Sequence, residues 1–129
     1  MKPYDYHIDG TTPQNKEIFV FGSNLAGIHG AGAAREALKY GAVMGKGIGP
    51  EGQSYAIPTK DMQIESLDLK AIEEYVLDFI ECASINSHKK FFVTRIGCGL
   101  AGYRDEQIAP MFRGAPLNCN FPETWRQFL

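Results

Sequence analysis

Cysteine is scarce in this sequence, and its placement indicates neither a metal site nor a disulfide framework. The three cysteines lie far apart, with no Cys-x-x-Cys pair and no histidine at the spacing of a zinc ligand. This pattern predicts a reduced, cytoplasmic protein without a bound metal, and no motif requires another cofactor. An apolar leader is also missing, and no run approaches the roughly 20 apolar residues that span a bilayer, so neither secretion nor membrane insertion is expected.

Basic runs are absent as well. The 13 Lys and Arg residues are balanced by 15 Asp and Glu residues, and the formal net charge is -2. A protein that binds duplex nucleic acid or an anionic membrane usually presents a basic patch, so neither partner is expected. The chain has 129 residues and no internal repeat, which predicts one domain over 1–129, with 1–16 as an N-terminal extension or an edge strand.

Short apolar runs alternate with helical patterns along the chain. The runs that are rich in β-branched and aromatic residues, as buried strands are, lie at 17–21, 54–58, 89–96 and 117–121. Helical patterns lie at 30–40, 68–86, 105–112 and 122–129. Pro58 is expected to end the pairing of the second strand. The alternation predicts an α/β fold, a three-layer αβα sandwich around a mostly parallel or mixed sheet.

Two long glycine-rich turns each follow a strand. Loop 1 is GSNLAGIHGAG (22–32), and loop 2 is GCGLAGY (97–103). In parallel sheets, ligands bind beyond the carboxyl ends of the strands, where unpaired N–H groups face outward. Glycine allows a backbone to approach a phosphate closely. The two loops together indicate a diphosphate clamp, and the alternative is that they only connect elements.

The familiar nucleotide motifs do not fit. Gly97, Gly99 and Gly102 have the Gly-x-Gly-x-x-Gly spacing of a dinucleotide-binding turn. Only 27 residues follow Gly102, however, which is too few for the βαβ units of that fold. Loop 1 lacks the Gly-Lys-Ser/Thr ending of a phosphate-binding P-loop. Both interpretations are therefore rejected.

The two loops resemble the ligand loops of macro domains, a family that binds ADP-ribose. FGSNLAGIHGAGAAREAL is similar to the first loop, FFVTRIGCGLAGY to the second, and SYAIPTKD occupies the place of the strand between them. The resemblance covers 17–115. It implies a single macro-like domain that binds ADP-ribose or a related NAD-derived nucleotide diphosphate-ribose, with ADP-ribosylated protein as a further partner.

The resemblance also implies roles for individual residues. Asn24 would hydrogen-bond the distal ribose, and Tyr103 would lie near it or near the end of loop 2. The family has an aspartate that reads adenine, for which Asp9 is the candidate here. The two walls of the diphosphate clamp would be formed by Gly27, Gly30, Ala31 and Gly32, and by Gly97, Cys98, Gly99, Leu100, Ala101 and Gly102.

The stretch RIGCGL is most similar to the macro subgroup that removes terminal ADP-ribose. That subgroup uses a lysine at the end of the middle strand and an aspartate just after this motif. Lys60 stands at the first place, but Ala101 stands at the second, so the carboxylate is missing. Three functions stay open: hydrolysis of an ADP-ribosyl linkage or of ADP-ribose 1''-phosphate, non-catalytic reading or sequestration of an NAD-derived metabolite, and protein interaction with a vestigial site.

Three residues are candidates for catalysis. His29 lies in loop 1, where an imidazole could orient water or protonate a leaving group, although an exposed loop histidine often has no such role. Lys60 and Asp61 follow a strand that should end near the site, and the alternative is that they are surface charges.

Other polar residues have weaker support. Cys98 is interpreted as a small space-filling residue, because no histidine partner is evident. Arg95 and Arg104 flank loop 2, and either could pair with a phosphate. No neighbouring motif supports a functional role for His7 or His88. Asn118 and Asn120 are interpreted as polar residues of an edge strand rather than as ligand contacts.

Overall fold

Six strands form one sheet in the computed structural model, which describes residues 4–129. Their order across the sheet is β1-β6-β5-β2-β4-β3. All neighbouring strands are parallel except β3 and β4, which form an antiparallel hairpin at one edge. The strands are β1 Asp5–His7, β2 Ile18–Asn24, β3 Gly49–Glu51, β4 Ser54–Lys60, β5 Phe91–Val93 and β6 Cys119–Pro122.

Helices cover both faces of the sheet, which confirms the expected three-layer α/β architecture. Helix α1 packs on one face against Phe19 and Phe21 of β2. The longest helix, α2, packs on the other face together with the C-terminal segments. The helices are α1 Gly32–Ala37, α2 Leu69–Ile85 and α3 Asp105–Ile108, with 3-10 turns at Leu38–Tyr40, Ala109–Phe112 and Glu123–Phe128. No helix of residues 4–129 is long and apolar enough to cross a bilayer.

The main core lies between the sheet and α2. Phe79 of α2 is fully buried and packs edge-to-face against Tyr55, Phe91 and Phe112. The helix begins where the sequence predicts, because the Asp68 carboxylate accepts a hydrogen bond from the backbone N–H of Ala71 at 2.8 Å. This half of the molecule is a rigid support for the carboxyl ends of the strands.

Strand β4 continues further than expected. Pro58 does not end the pairing, since it lies opposite Ser23 of β2 and the strand runs on to Lys60. Beyond Ala56, β4 has lost β3 as a neighbour, so one of its sides is open and a proline fits there. The extension brings Lys60 level with Asn24 at the end of β2.

Three further elements differ from expectation. A strand that was not expected, β3, lies between the helical pattern at 30–40 and the strand at 54–58, and it pairs with β4. The segment 105–112 is α-helical only through Ile108, because Pro110 cannot donate a backbone hydrogen bond. The C-terminal segment forms a 3-10 turn rather than an α-helix.

The edge strand expected within 1–16 is β1, while residues 1–3 lie outside the described residues. It pairs in parallel with β6, with Asp5 opposite Asn120 and His7 opposite Pro122. Because β1 and β2 are parallel and two strands separate them, residues 8–17 return across the sheet without a helix. This crossover places Asp9 at the same end of the sheet as the two glycine loops.

Candidate functional site

A cleft of about 790 Å³ runs along the carboxyl ends of the strands, between loop 1 and loop 2. It extends from His7 at the end of β1 to Lys60 at the end of β4. Four interstrand spacings separate these strands, a width of about 19 Å. Three strands lie between them, β6, β5 and β2, and the glycine loops follow β5 and β2, so they form the middle of the cleft.

Both walls of the cleft present unpaired backbone N–H groups. Among the described residues, none accepts a hydrogen bond from the N–H groups of 30–34 in loop 1 and the start of α1. The same is true of 99–101 in loop 2. Backbone N–H groups of this kind, held by glycine-rich turns, form anion-binding concavities.

Asn24 holds loop 1 in shape. Its side-chain amide donates to the carbonyl oxygen of Ile28 at 2.7 Å, and its oxygen accepts from the N–H of Ile28 at 2.9 Å. Asn24 lines the cleft, and these two bonds use one of its N–H groups and one lone pair of its oxygen. The second lone pair of the oxygen and the remaining N–H are not used by these two bonds.

Gly27 does not line the cleft, which corrects its expected place in the clamp. It packs against the connector 43–47, and a Cβ on Gly27 would lie 2.6 Å from the Cα of Gly45. The N–H of Gly45 donates to the carbonyl of Gly27 at 2.8 Å, and Ser23 Oγ donates to the carbonyl of Gly47. The connector thus supports loop 1 from behind.

His29 is also directed away from the cleft. It is only 2% exposed, and its Nε2 lies 3.0 Å from the Val43 carbonyl oxygen and 3.1 Å from that of Lys46. Its ring packs edge-to-face against Phe21. The expectation of a catalytic or an exposed loop histidine is therefore corrected: His29 fastens loop 1 to the connector.

Lys60 lines one end of the cleft and is in no ion pair among residues 4–129. Its backbone pairs with Ser66, and Ser66 Oγ donates to the carbonyl of Ala101 at 2.7 Å. These contacts bring the end of β4 next to loop 2. Asp61 lies outside the cleft, contrary to expectation, where its carboxylate accepts N–H bonds from Gln63 and Glu65.

Loop 2 lines the cleft before Gly102 and turns away from it at Gly102. The residues before it line the cleft, namely Gly97, Cys98, Gly99, Leu100 and Ala101. Gly102 and Tyr103 do not, because their N–H groups close the turn onto the carbonyls of Gly99 and Gly97 at 3.0 and 2.9 Å. The Tyr103 hydroxyl donates to the carbonyl of Leu67, so Tyr103 lies at the end of loop 2, one of its two expected positions, and does not line the cleft.

Leu100 brings the two walls close together. Its side chain is 71% exposed, and its Cδ1 lies 3.9 Å from the place that a Cβ on Gly32 would take. The opening between loop 1 and loop 2 is therefore narrow at its middle. Cys98 also lines the cleft, and burial, reinforced by the Asp105 carboxylate, raises the pKa of its thiol to about 12. The thiol is protonated at neutral pH and is a poor nucleophile.

Of the two arginines that flank loop 2, the structure brings only Arg95 into the cleft. Its guanidinium binds the Asp105 carboxylate at 3.0 Å through both Nε and a terminal nitrogen, and contacts Asp9 at 3.4 Å. Trp125 Nε1 also donates to Asp105 at 2.8 Å. Arg104 pairs with Glu106 outside the cleft. Two carboxylates thus compensate the charge of Arg95.

Sequence reasoning missed much of the end of the cleft formed by β1 and the crossover. His7 had no supporting context, yet it lines the cleft, and so does Asp9, the candidate that the resemblance gave for reading adenine. Asp9 was a candidate through the resemblance and not through a signal in its own stretch of sequence. No local signal marks the other lining residues, among them Thr11, Thr12, Phe92 and Thr94. Among residues 4–129, no group of three metal-ligating side chains is present.

A three-layer α/β sandwich with a mostly parallel six-stranded sheet is the macrodomain fold. Two solved structures share it with this chain. The macrodomain of Mycobacterium tuberculosis DarG superposes with a TM-score of 0.64 at 18% identity, over 94% of this chain and 99% of that chain. Thermosipho africanus DarTG in complex with ADP-ribose superposes with a TM-score of 0.60 at 15% identity, over 83% of this chain and 38% of that chain. At these identities the likeness establishes the fold alone.

Sequence similarity adds little. No protein-family model matches the chain. The energy-dependent translational throttle protein EttA is 39% identical over 57 residues in Escherichia coli K12, covering 44% of this chain and 10% of that protein. Its Haemophilus influenzae counterpart is 33% identical over 70 residues, covering 54% of this chain and 12% of that protein. The chain spans about a tenth of the length of these curated relatives, so their activity does not transfer to it.

Proposed function

We propose that this protein binds ADP-ribose, or a closely related NAD-derived nucleotide diphosphate-ribose, in the cleft between loop 1 and loop 2. The observation that carries the proposal is the set of unpaired backbone N–H groups at 30–34 and 99–101, on opposite walls. A diphosphate between them accepts hydrogen bonds from both walls without a lysine or arginine. The ADP-ribose complex of the structurally similar DarTG supports this ligand.

The two ends of the cleft differ in chemistry, which gives the ligand a direction. Lys60 and Asn24 lie on the β4 side, where the resemblance implies the distal ribose. The base then occupies the β1 side, beside His7 and Asp9. The proposed diphosphate and ribose contacts are the cleft-lining residues of the two loops, namely Asn24, Gly30, Ala31, Gly32, Gly97, Cys98, Gly99, Leu100 and Ala101.

Titration calorimetry with ADP-ribose tests this function. We expect saturable binding of one molecule per chain. AMP, which lacks the second phosphate and the distal ribose, should bind at least about tenfold more weakly, a difference of about 1.4 kcal/mol. The absence of both heat and a thermal shift at millimolar ADP-ribose would contradict the proposal.

A second candidate is hydrolysis of an ADP-ribosyl linkage on protein, or of ADP-ribose 1''-phosphate. The observation that favours it is the position of Lys60 at the β4 end of the cleft, where we propose the distal ribose, next to Ala101 through Ser66. A deprotonated lysine amine can attack the ribose C1'' carbon and displace the protein side chain or the phosphate, which leaves with the bonding electron pair, and water then hydrolyses the lysine adduct. Ala101 supplies no carboxylate to assist it, so we propose slow turnover rather than that of an enzyme with the full pair.

Turnover of ADP-ribosylated protein and of ADP-ribose 1''-phosphate separates an enzyme from a reader. We expect Lys60→Ala to abolish the release of product, while its ADP-ribose affinity stays within about threefold, because the diphosphate contacts remain. Lys70→Ala, an exposed change on α2, is the matched control. Unchanged turnover in Lys60→Ala would exclude this lysine, and binding without turnover in the wild type identifies a non-catalytic reader.

A further inference from the structure

The side chain of His7 is held in one orientation on the floor of the cleft. Its ring stacks on Phe92 at a centroid distance of 3.9 Å and an interplanar angle of 19°. Its Nδ1 lies 2.9 Å from the side-chain oxygen of Asn120 on the neighbouring strand β6. His7 is therefore fixed on one face by an aromatic ring and on one edge by an amide.

Glu17 determines which way the Asn120 amide points. The Glu17 side chain is buried, with the residue only 6% exposed, and its Oε1 accepts the N–H of Gln14 at 2.5 Å. Its Oε2 lies 3.3 Å from Asn120 Nδ2. A carboxylate only accepts hydrogen bonds, so Asn120 must present its NH₂ group to Glu17 and its oxygen to His7.

The amide orientation in turn determines the tautomer of His7. Because Asn120 presents an oxygen, His7 Nδ1 carries the proton and donates it, which leaves Nε2 with a free lone pair. Nε2 has no hydrogen-bond partner among residues 4–129, and it is not one of their buried unpartnered polar atoms. Burial lowers the pKa of His7 below its ordinary value and outweighs the opposite effects of Asn120, Glu17 and Asp9. The ring is therefore neutral at physiological pH.

We propose that His7 is a specificity-determining residue that accepts a hydrogen bond from the exocyclic 6-amino group of a purine, and that the cleft rejects 6-oxo purines. This inference rests on the proposed function, since it concerns the base end of the same cleft. Asp9 lies at that end as well and is also an acceptor. A 6-oxo group would direct its own lone pairs at the lone pair of Nε2 and leave both groups unpaired.

Competition between ADP-ribose and its hypoxanthine analogue, inosine diphosphate ribose, tests the proposal. We expect the wild type to bind ADP-ribose at least about tenfold more tightly. His7→Phe keeps a ring to stack on Phe92 but lacks the acceptor, so the preference should fall to about twofold, mainly through weaker binding of ADP-ribose. His88→Phe, an exposed change outside the cleft, should behave as the wild type.

Nitrogen NMR of the free protein gives a readout that does not depend on a ligand. We expect His7 to show a protonated Nδ1 and an unprotonated Nε2, and Asn120→Leu to remove this bias. A predominantly Nε2-protonated ring in the wild type would overturn the inference. Equal affinity for the two nucleotides would overturn it while leaving the proposed function intact, and the absence of binding by both would overturn the proposed function and this inference with it.

Discussion

Replacing Gly99 by glutamate is expected to lower the affinity for ADP-ribose by at least about 100-fold, which corresponds to about 2.7 kcal/mol. The N–H of Gly99 is unpaired and its residue lines the cleft. Apart from Gly99 and its two chain neighbours, no atom of residues 4–129 lies within 4 Å of the place that a Cβ on Gly99 would take, and this glycine does not have a positive φ. The variant should therefore fold normally while it fills the diphosphate position with volume and negative charge.

Gly114→Glu is the matched control for this experiment. Gly114 is also free of neighbours around its added Cβ and has no positive φ, but it lies outside the cleft. Calorimetry should give wild-type affinity for Gly114→Glu, and thermal unfolding should give similar midpoints for both variants. Gly99→Gln adds a side chain of similar volume without the negative charge, so it separates the effect of volume on affinity from the effect of charge. An affinity of Gly99→Glu within about threefold of the wild type would show that the diphosphate does not lie between the loops.

Replacing Gly47 by alanine is expected to destabilise the protein by about 3 kcal/mol and to weaken ligand binding as well. A Cβ on Gly47 would lie far inside van der Waals contact with the carbonyl oxygen of Asn24, and 3.3 Å from the nitrogen of Gly27. Both neighbours are backbone atoms that cannot rotate away. The connector 43–47 must then move, and loop 1 moves with it because His29 and Ser23 join the two.

Thermal or denaturant unfolding measures this effect, and calorimetry measures its consequence for the cleft. Gly114→Ala adds the same methyl group in open space and should change the free energy of unfolding by less than about 0.5 kcal/mol. A wild-type midpoint and affinity in Gly47→Ala would mean that loop 1 does not depend on the connector.

Local pattern was sufficient to predict the layered architecture. The apolar steps of α2 and the cap at Asp68 are local features, and the structure reproduces both. β3 escaped prediction because Gly-Pro-Glu has little strand propensity and pairs only through β4. The continuation of β4 past Pro58 depends equally on a neighbour, since the strand is open on one side there.

The site was predictable only in part, because the direction in which a loop residue faces also depends on its neighbours in the fold. The glycine loops were identified because their position after strands is visible in the sequence, and their lining residues such as Gly30 and Gly99 lie in the cleft. Nothing in the local sequence shows which side of a loop faces a ligand. Gly27 and His29 are directed toward the connector, while Tyr103 binds the carbonyl of Leu67.

By itself, the sequence determined the α/β class, the two strand-end loops and the absence of an acidic residue at Ala101, because periodicity, glycine content and residue identity are local properties. Only the tertiary structure decided which residues meet in the cleft. His7 and Asn120 are 113 positions apart, and Asp9 and Arg95 are 86 apart. The sheet order brings them together, since β1 pairs with β6 and the crossover carries Asp9 to the carboxyl end of β5. Such pairings depend on burial and strand register across the whole chain, which no short segment specifies.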